Sequence, residues 1–344
     1  MKIADYVSKY DPENQFDVLI NSYKQIEFSW NNKVELGEMK NKNFDAVAVT
    51  GLGGSAISAD LMQNFLGGEL KVPFIVNRNY SLPSFINKNS LLIVSSYSGN
   101  TEETVSVLKE ALECGCQIVC ISTGGKVESS ALEHDLPLVK ILPGYQPRYA
   151  LGLSFFSLLK VLQSIDLIDN QDETVKEIIQ LWKTRGKEYS SEGSRAFKIA
   201  EQIIGYIPTI YSAADVTSAA GYRFKCQFNE NSKMHAFQNV IPELNHNEII
   251  GWESYDENQY KTKVLNIIDP DYHPQVKKRF EITSELASQK GVEIINLEGT
   301  GNNLKLRLMD LIYLGDWITY YAAVLRGFDP TEIDNINTLK KRLA

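Results

Sequence analysis

Two hydroxyl- and glycine-rich stretches hold the most chemistry in this 344-residue sequence. Gly51-Leu52-Gly53-Gly54-Ser55 follows an apolar run at 44–50. Glycines at such a junction let the backbone turn sharply and come close to a ligand, with free helix amides facing it. The spacing is neither the dinucleotide fingerprint nor a P-loop, so alone it describes a tight turn equally well. Ser95-Ser96-Tyr97-Ser98-Gly99-Asn100-Thr101 follows a second apolar run that starts at Leu91. Ser96, Ser98 and Thr101 bring three hydroxyls to a helix start, where unpaired amides and the dipole favour an anion. Helix capping would use Asn100 or Thr101 and need neither extra serine. Together the two stretches make a phosphate monoester the expected ligand. Glu102 and Glu103 would repel it unless they turn away.

A second cluster combines Phe228-Asn229-Glu230-Asn231-Ser232-Lys233 with Pro242-Glu243-Leu244-Asn245-His246-Asn247-Glu248. A carboxylate and an imidazole suit proton transfer on a sugar, one moving a carbon-bound proton and the other helping to open the ring. Zinc held by His246 with Glu248 or Glu243 is the rival, though no HExxH spacing supports it. A purely structural polar loop is the third reading. Four histidines serve the whole chain. His134 and His273 read as surface residues, and His235 reads as a packing residue on the helix that carries Glu230. Cys114, Cys116, Cys120 and Cys226 read as buried reduced thiols, with no second Cys or His cluster to complete a metal site.

The elements that must position these groups alternate. Strands are expected at 44–50, 72–76, 91–95, 117–122 and 136–142, with helices at 55–65 and 101–112. A helical connector at 170–193 leads to a helix at 194–204 and strands at 209–213, 263–269 and 292–297. A long helix at 304–325 stops at Gly327, with Pro330 barring its continuation. Near-continuous apolar strands between helices mean α/β architecture with mainly parallel sheets covered on both faces. Length and pattern give two related domains, 1–152 and 153–344. Trp317, Tyr320 and Tyr321 on the long helix read as core or dimer contacts.

Lys and Arg total 35 against 43 Asp and Glu, a formal charge of −8. That balance disfavours a nucleic-acid or anionic-membrane partner. The hydrophobic fraction of 43% with 23% charged residues excludes a disordered or fibrous chain. No apolar run approaches the ~20 residues of a membrane span, and the N-terminus shows no secretory h-region. A soluble, cytoplasmic protein is expected.

The motifs GLGGSAISAD, SSYSGNTEET, PRYALG, FNENSK, PELNHNEIIGW and DPTEIDNINTLK, with the terminal LKKRLA, resemble the bifunctional phosphoglucose/phosphomannose isomerase family. That family is built from two sugar-isomerase (SIS) domains of flavodoxin-like type, and the resemblance covers nearly the whole chain. It implies a metal-independent aldose–ketose isomerase with no cofactor, joining glucose 6-phosphate and mannose 6-phosphate to fructose 6-phosphate through a cis-enediol. It also implies roles. Ser55, Ser96, Ser98 and Thr101 would hold the phosphate, and the Gly53-Gly54 backbone would line the sugar. Arg148 would stabilise the enediolate, and Glu230 would move the proton between C1 and C2. His246 would open the ring from the partner subunit of a homodimer, with Lys340 (or its neighbour Lys341) assisting. Thr331 would sit on the substrate side. Ala59, where glycine is expected, and FNENSK, in place of INENAK, remove no functional group. A glucose-6-phosphate-only isomerase and a non-catalytic SIS sugar-phosphate sensor are the rivals. A sensor would need the hydroxyl loop but not Glu230, His246, Arg148 and Lys340 together.

Overall fold

The computed structural model describes residues 2–343, the side chains of residues 38 and 41 excepted. Contacts divide the chain into two compact units, residues 1–21 with 181–344, and residues 22–180. This division differs from a boundary at 152/153 in two respects, each with a physical cause. The N-terminal helices α1 (Ile3–Tyr10) and α2 (Gln15–Ile20) belong to the C-terminal unit. There Asp11 accepts a hydrogen bond from Tyr320 at 2.8 Å, the Leu19 carbonyl accepts from Tyr313, and the Phe16 ring meets Trp317 edge-on. At the other end, residue 152 lies inside a helix of the 22–180 unit.

Within that unit, α3 (Ser22–Asn31) precedes β1 (Val47–Thr50), α4 (Gly54–Leu66), β2 (Phe74–Asn77) and β3 (Leu91–Ser96). Then come α5 (Glu102–Cys114), β4 (Gln117–Ser122), α6 (Gly125–Glu133), β5 (Leu138–Lys140) and α7 (Leu151–Ser164). All sheet pairings are parallel, in the order β2-β1-β3-β4-β5. The order reverses between β1 and β3, which opens a crevice at the strands' carboxyl ends. Gly152 lets α7 press against α3, since a Cβ there would stand 2.7 Å from that of Gln25. Ser58 on α4 and Ser154 on α7 share a 2.7 Å hydrogen bond. Helix α8 (Asp172–Tyr189) contains the 180/181 boundary.

In the other unit α9 (Arg195–Ile203) leads to β6 (Ile207–Ala213), α10 (Ser218–Glu230) and β7 (Phe237–Ile241). These are followed by β8 (Thr262–Ile268), α11 (Pro274–Ser288), β9 (Glu293–Glu298), α12 (Leu304–Leu325) and α13 (Asp334–Leu343). The sheet is again parallel, in the order β7-β6-β8-β9. Its own reversal, between β6 and β8, is crossed by side chains. Thr217 and Tyr272 pair across it through their hydroxyls, whereas Asp269, just after β8, grips Arg307 of α12 with bonds of 2.8 and 3.0 Å. Asp271 adds a second carboxylate to the same guanidinium.

Helix α12 is buried on nearly every side, and Trp317, Tyr320 and Tyr321 are core residues of the chain itself. Gly327 ends it at φ +81°, as a left-handed cap requires. No helix among the described residues is long and apolar enough to cross a membrane. His235 is off the helix on which it was expected: α10 ends at Glu230, and His235 is exposed in the stretch leading to β7. His134 and His273 are exposed, the latter capping α11 through Nδ1.

Cys116 and Cys120 are buried, and burial pushes both thiols up to about 12. Thiolate is the reactive form, so at pH 8 both should resist Ellman's reagent in the native protein and react once denaturant is added. Rapid native labelling of either, mapped by mass spectrometry, would contradict this packing.

Candidate functional site

The crevice of the 22–180 unit is built by three loops. The first joins β1 to α4, where Gly53 at φ +54° is the N-cap and Gly54 the first helical residue. A Cβ on Gly51 would stand 2.7 Å from the Ser95 carbonyl oxygen, so this turn lies directly against the end of β3. A Cβ on Gly54 would stand 2.7 Å from the Pro147 carbonyl oxygen, which brings in the 3-10 turn Pro147–Tyr149. Arg148 on that turn is buried, its guanidinium over the Tyr149 ring at 5.5 Å. Gln25 donates to the Tyr149 carbonyl at 2.8 Å and so ties the turn to α3. Sequence reading missed this support. Gln25 lies more than 120 positions from the turn, and a mid-helix glutamine gives no local signal.

The serine loop is organised by its own hydroxyls. Ser96 Oγ accepts from the Gly99 amide at 3.1 Å and pairs with Thr101 Oγ1 at 3.0 Å. Thr101 is the N-cap of α5, yet its side chain makes no capping bond. The helix-capping reading of Thr101 therefore gives way to a hydroxyl pair facing its neighbour strand. Ser55 and Ser96 are buried, Thr101 is half-buried and Ser98 is exposed. Ser98 Oγ accepts from the Asn100 amide at 3.3 Å. Glu102 is exposed and accepts a 3.4 Å hydrogen bond from Tyr80, which orients this carboxylate toward the β2–β3 connection. The loop backs onto the β4–α6 turn, where Asn100 Oδ1 accepts from the Lys126 amide.

Thus one unit gathers Gly53, Gly54, Ser55, Ser96, Ser98, Thr101 and Arg148 at the carboxyl ends of its strands. The other unit holds Glu230, Thr331, His246 and Lys340. Glu230 is the last residue of α10 and is half-buried. The next turn is fastened to the segment after α12. Lys233, at φ +50°, donates to the Asp329 carbonyl, and Arg326 donates to the Ser232 carbonyl. Thr331 is buried and donates to Asp329 Oδ1 through both its amide, at 2.7 Å, and its hydroxyl, at 2.5 Å. FNENSK and DPTEIDN, a hundred positions apart, are therefore one structural feature, with Lys233 and Asp329 as its joint.

His246 ends the 3-10 turn Glu243–His246 and is exposed. The turn is pinned on both sides. Asn245 donates to Thr283 of α11 at 2.8 Å and accepts from Arg279 at 3.3 Å. Glu248 accepts from Tyr211 at 2.7 Å and from Asn239 at 2.6 Å. Both oxygens of Glu248 thus serve as an anchor, which removes it as a ready zinc partner of His246. Glu243 accepts from Asn247 at 3.1 Å. Among the described residues no group of three His, Cys, Asp or Glu side chains could hold a metal ion. Lys340 and Lys341 lie in the exposed last turn of α13, a helix with no buried residue.

The family model described as the bacterial phospho-glucose isomerase C-terminal SIS domain matches residues 192–343. A bifunctional phosphoglucose/phosphomannose isomerase of Caldicellulosiruptor bescii is 36% identical over 338 residues, covering 96% of this chain and 98% of its own. One of Aquifex aeolicus is also 36% identical, covering 87% of this chain and 91% of its own. In fold, the chain is similar to the crystal structure of a hypothetical protein from Thermus thermophilus. The TM-score is 0.75 at 14% identity, covering 99% of this chain and 93% of that one.

Gly99 tests the serine loop directly. It has φ +69°, and a Cβ there would overlap the Gly124 carbonyl oxygen, which is backbone and has little freedom to retreat. Gly99→Ala is expected to cost about 3 kcal/mol in stability and to loosen the loop. Thermal unfolding checks it, and a melting temperature within a degree of the parent would exclude the clash.

Proposed function

Because the chain belongs to the bifunctional phosphoglucose/phosphomannose isomerase family, we propose that it interconverts glucose 6-phosphate and mannose 6-phosphate with fructose 6-phosphate. The reaction runs through a cis-enediol and requires neither metal nor nicotinamide. The observation that carries this reading is the convergence of the glycine loop, the serine loop and buried Arg148 at one strand-order reversal.

The phosphate is taken by Ser55, Ser96, Ser98 and Thr101 together with the amides that begin α4 and α5. Holding this remote group in a prebuilt loop leaves C1 and C2 free to change geometry. The bare backbone at Gly53 and Gly54 lets the sugar approach closely. Glu230 removes the proton from C2 of the aldose and returns it to C1, and the reverse for the ketose. One carboxylate on one face of the open chain is sufficient. As charge grows on the C1 or C2 oxygen, the guanidinium of Arg148 answers it, fixed in place before the reaction begins. Both epimers at C2 collapse to the same enediol, so acting on glucose and mannose phosphates needs only rotation about C2–C3 before proton return.

Ring opening needs a proton taken from the C1 hydroxyl and one given to the ring oxygen. His246 and Lys340 supply this, the imidazole coming from the partner subunit of a homodimer. The exposure of His246, on a turn pinned at Asn245 and Glu248, supports a role outside its own subunit. Thr331 and the Asp329–Lys233 joint form the wall beside Glu230. The enzyme works in the cytoplasm, where its substrates are made.

The decisive experiment treats the protein with EDTA, adds fructose 6-phosphate and measures glucose 6-phosphate and mannose 6-phosphate separately. Both products are expected. Glucose 6-phosphate alone would restrict the activity to one epimer, and binding without turnover would make the protein a sugar-phosphate sensor. Glu230→Gln should lower kcat by a factor of at least about 10³ with sugar-phosphate binding retained, in keeping with the loss of an acid–base group. Unchanged turnover in that variant would remove Glu230 from the mechanism.

A further inference from the structure

Glu230 closes α10, so its carboxylate goes wherever the rotation and slide of that helix on α12 put it. Apolar packing alone holds such settings loosely, because hydrophobic side chains of similar volume can repack at modest cost. Here the facing surfaces are not apolar. Residues 223, 227 and 231, spaced by four, share one side of α10 and its cap, and all three are polar and buried. Arg223 donates to Asp316 of α12 with bonds of 2.8, 3.0 and 3.1 Å. Gln227 donates to the same carboxylate at 2.6 Å and accepts from Asn231 at 3.2 Å. Asn231 also donates to Thr319 Oγ1 at 3.1 Å, and that hydroxyl donates onward to the Gly315 and Asp316 carbonyls. Ser232 then donates to the Thr319 carbonyl at 2.7 Å. The ring of Phe224 occupies the space where a Cβ on residue 315 would stand, which brings the two helices close enough for these bonds.

Such a seam is expensive, since burying charged and amide groups between helices gains little over well-packed hydrocarbon. What it supplies is direction. Every bond in the chain fails if α10 slips by one residue or turns about its axis, so one register is selected over its neighbours. The last links, Asn231 and Ser232, stand immediately after Glu230.

We propose that Gln227, Asn231 and Thr319 are positioning residues for Glu230, fixing the carboxylate by a buried hydrogen-bond chain between α10 and α12. The inference rests on the reading of Glu230 as the base. A displacement of about 1 Å at a reacting group can cost on the order of 100-fold in rate, which sets the scale of the effect.

The test replaces the chain with apolar groups of similar shape, as Gln227→Met, Asn231→Leu and Thr319→Val together, and leaves Arg223 and Asp316 paired. Replacing these three side chains together removes their mutual bonds at once and leaves Asp316 its bonds from Arg223, so the triple variant should fold with a melting temperature near the parent's. Its kcat for fructose 6-phosphate isomerisation should fall about 10- to 100-fold while KM, set by the phosphate, changes less than about threefold. A folded triple variant with parental kcat would overturn the proposal. Should that protein not fold, Thr319→Val against Thr319→Ser decides. The serine keeps the hydroxyl and should keep kcat, whereas the valine should lose several-fold, and equal kcat for both would refute the role. Glu230→Gln is assayed alongside. If Glu230→Gln turns over normally the base assignment fails, whereas an inactive Glu230→Gln beside a fully active triple variant fails the hydrogen-bond chain alone.

Discussion

Helix α12 is buried on almost all sides, and burial favours a partner for each polar group it carries, the Trp317 indole N–H being an exception. Much of the unit formed by residues 1–21 and 181–344 is an answer to that demand. Asp310 takes bonds from Arg185, Tyr189 and the Thr300 amide, and Asp316 takes Arg223 and Gln227. Tyr320 reaches Asp11 and Tyr321 reaches the Tyr189 carbonyl, so the N-terminal segment and α8 are both recruited. Aromatic stacking follows the same pattern, with Trp182 and Tyr313 parallel at 4.6 Å. The helix thus holds together segments that are far apart in sequence, and Glu230, at the end of the helix packed on it, inherits its position from them.

The 22–180 unit is governed by a different constraint, close backbone approach. Gly51, Gly54 and Gly99 each sit where another residue's carbonyl leaves no room for a side chain. Crowding of this kind draws four segments, the β1–α4 and serine loops with the Pro147 and β4–α6 turns, against one another. The phosphate site proposed above accordingly rests on hydroxyls and helix-start amides rather than on a lysine. Hydroxyls and helix-start amides are weaker than a cation individually, but they need no counter-charge and lie where the chain already turns.

Much of this was legible in the sequence because the strands of both sheets are apolar runs bounded by turn residues, and because the site's loops sit at strand ends. The elements that escaped had no periodic signal. Helix α7 reads LGLSFFSLLKVLQS and is buried on all faces, so it shows no polar side to mark a helix. Strand β7 is short and half polar, and α11 exposes Ile282 and Leu286, which blurs its amphipathic stripe. The allegiance of residues 1–21 rests on contacts with distant partners, among them Glu192 and the side chains of Tyr313, Trp317 and Tyr320, which local reading does not reach. Glu230 is singled out by its motif, whereas the polar residues of α12 that bond its helix look, in sequence, like ordinary interruptions of an apolar helix.

The two halves also differ at the place where doubly wound sheets usually admit a ligand. In the first, the gap between β1 and β3 is lined by backbone and hydroxyls. In the second, the Thr217–Tyr272 hydroxyl pair joins the segments that follow β6 and β8, and Arg307 is locked to two aspartates after β8. On the reading proposed above, the repeated architecture is divided by labour: one copy takes the substrate, and the other mounts Glu230. Saturation of a single chain should accordingly follow one hyperbola, and any curvature beyond it would have to arise between chains.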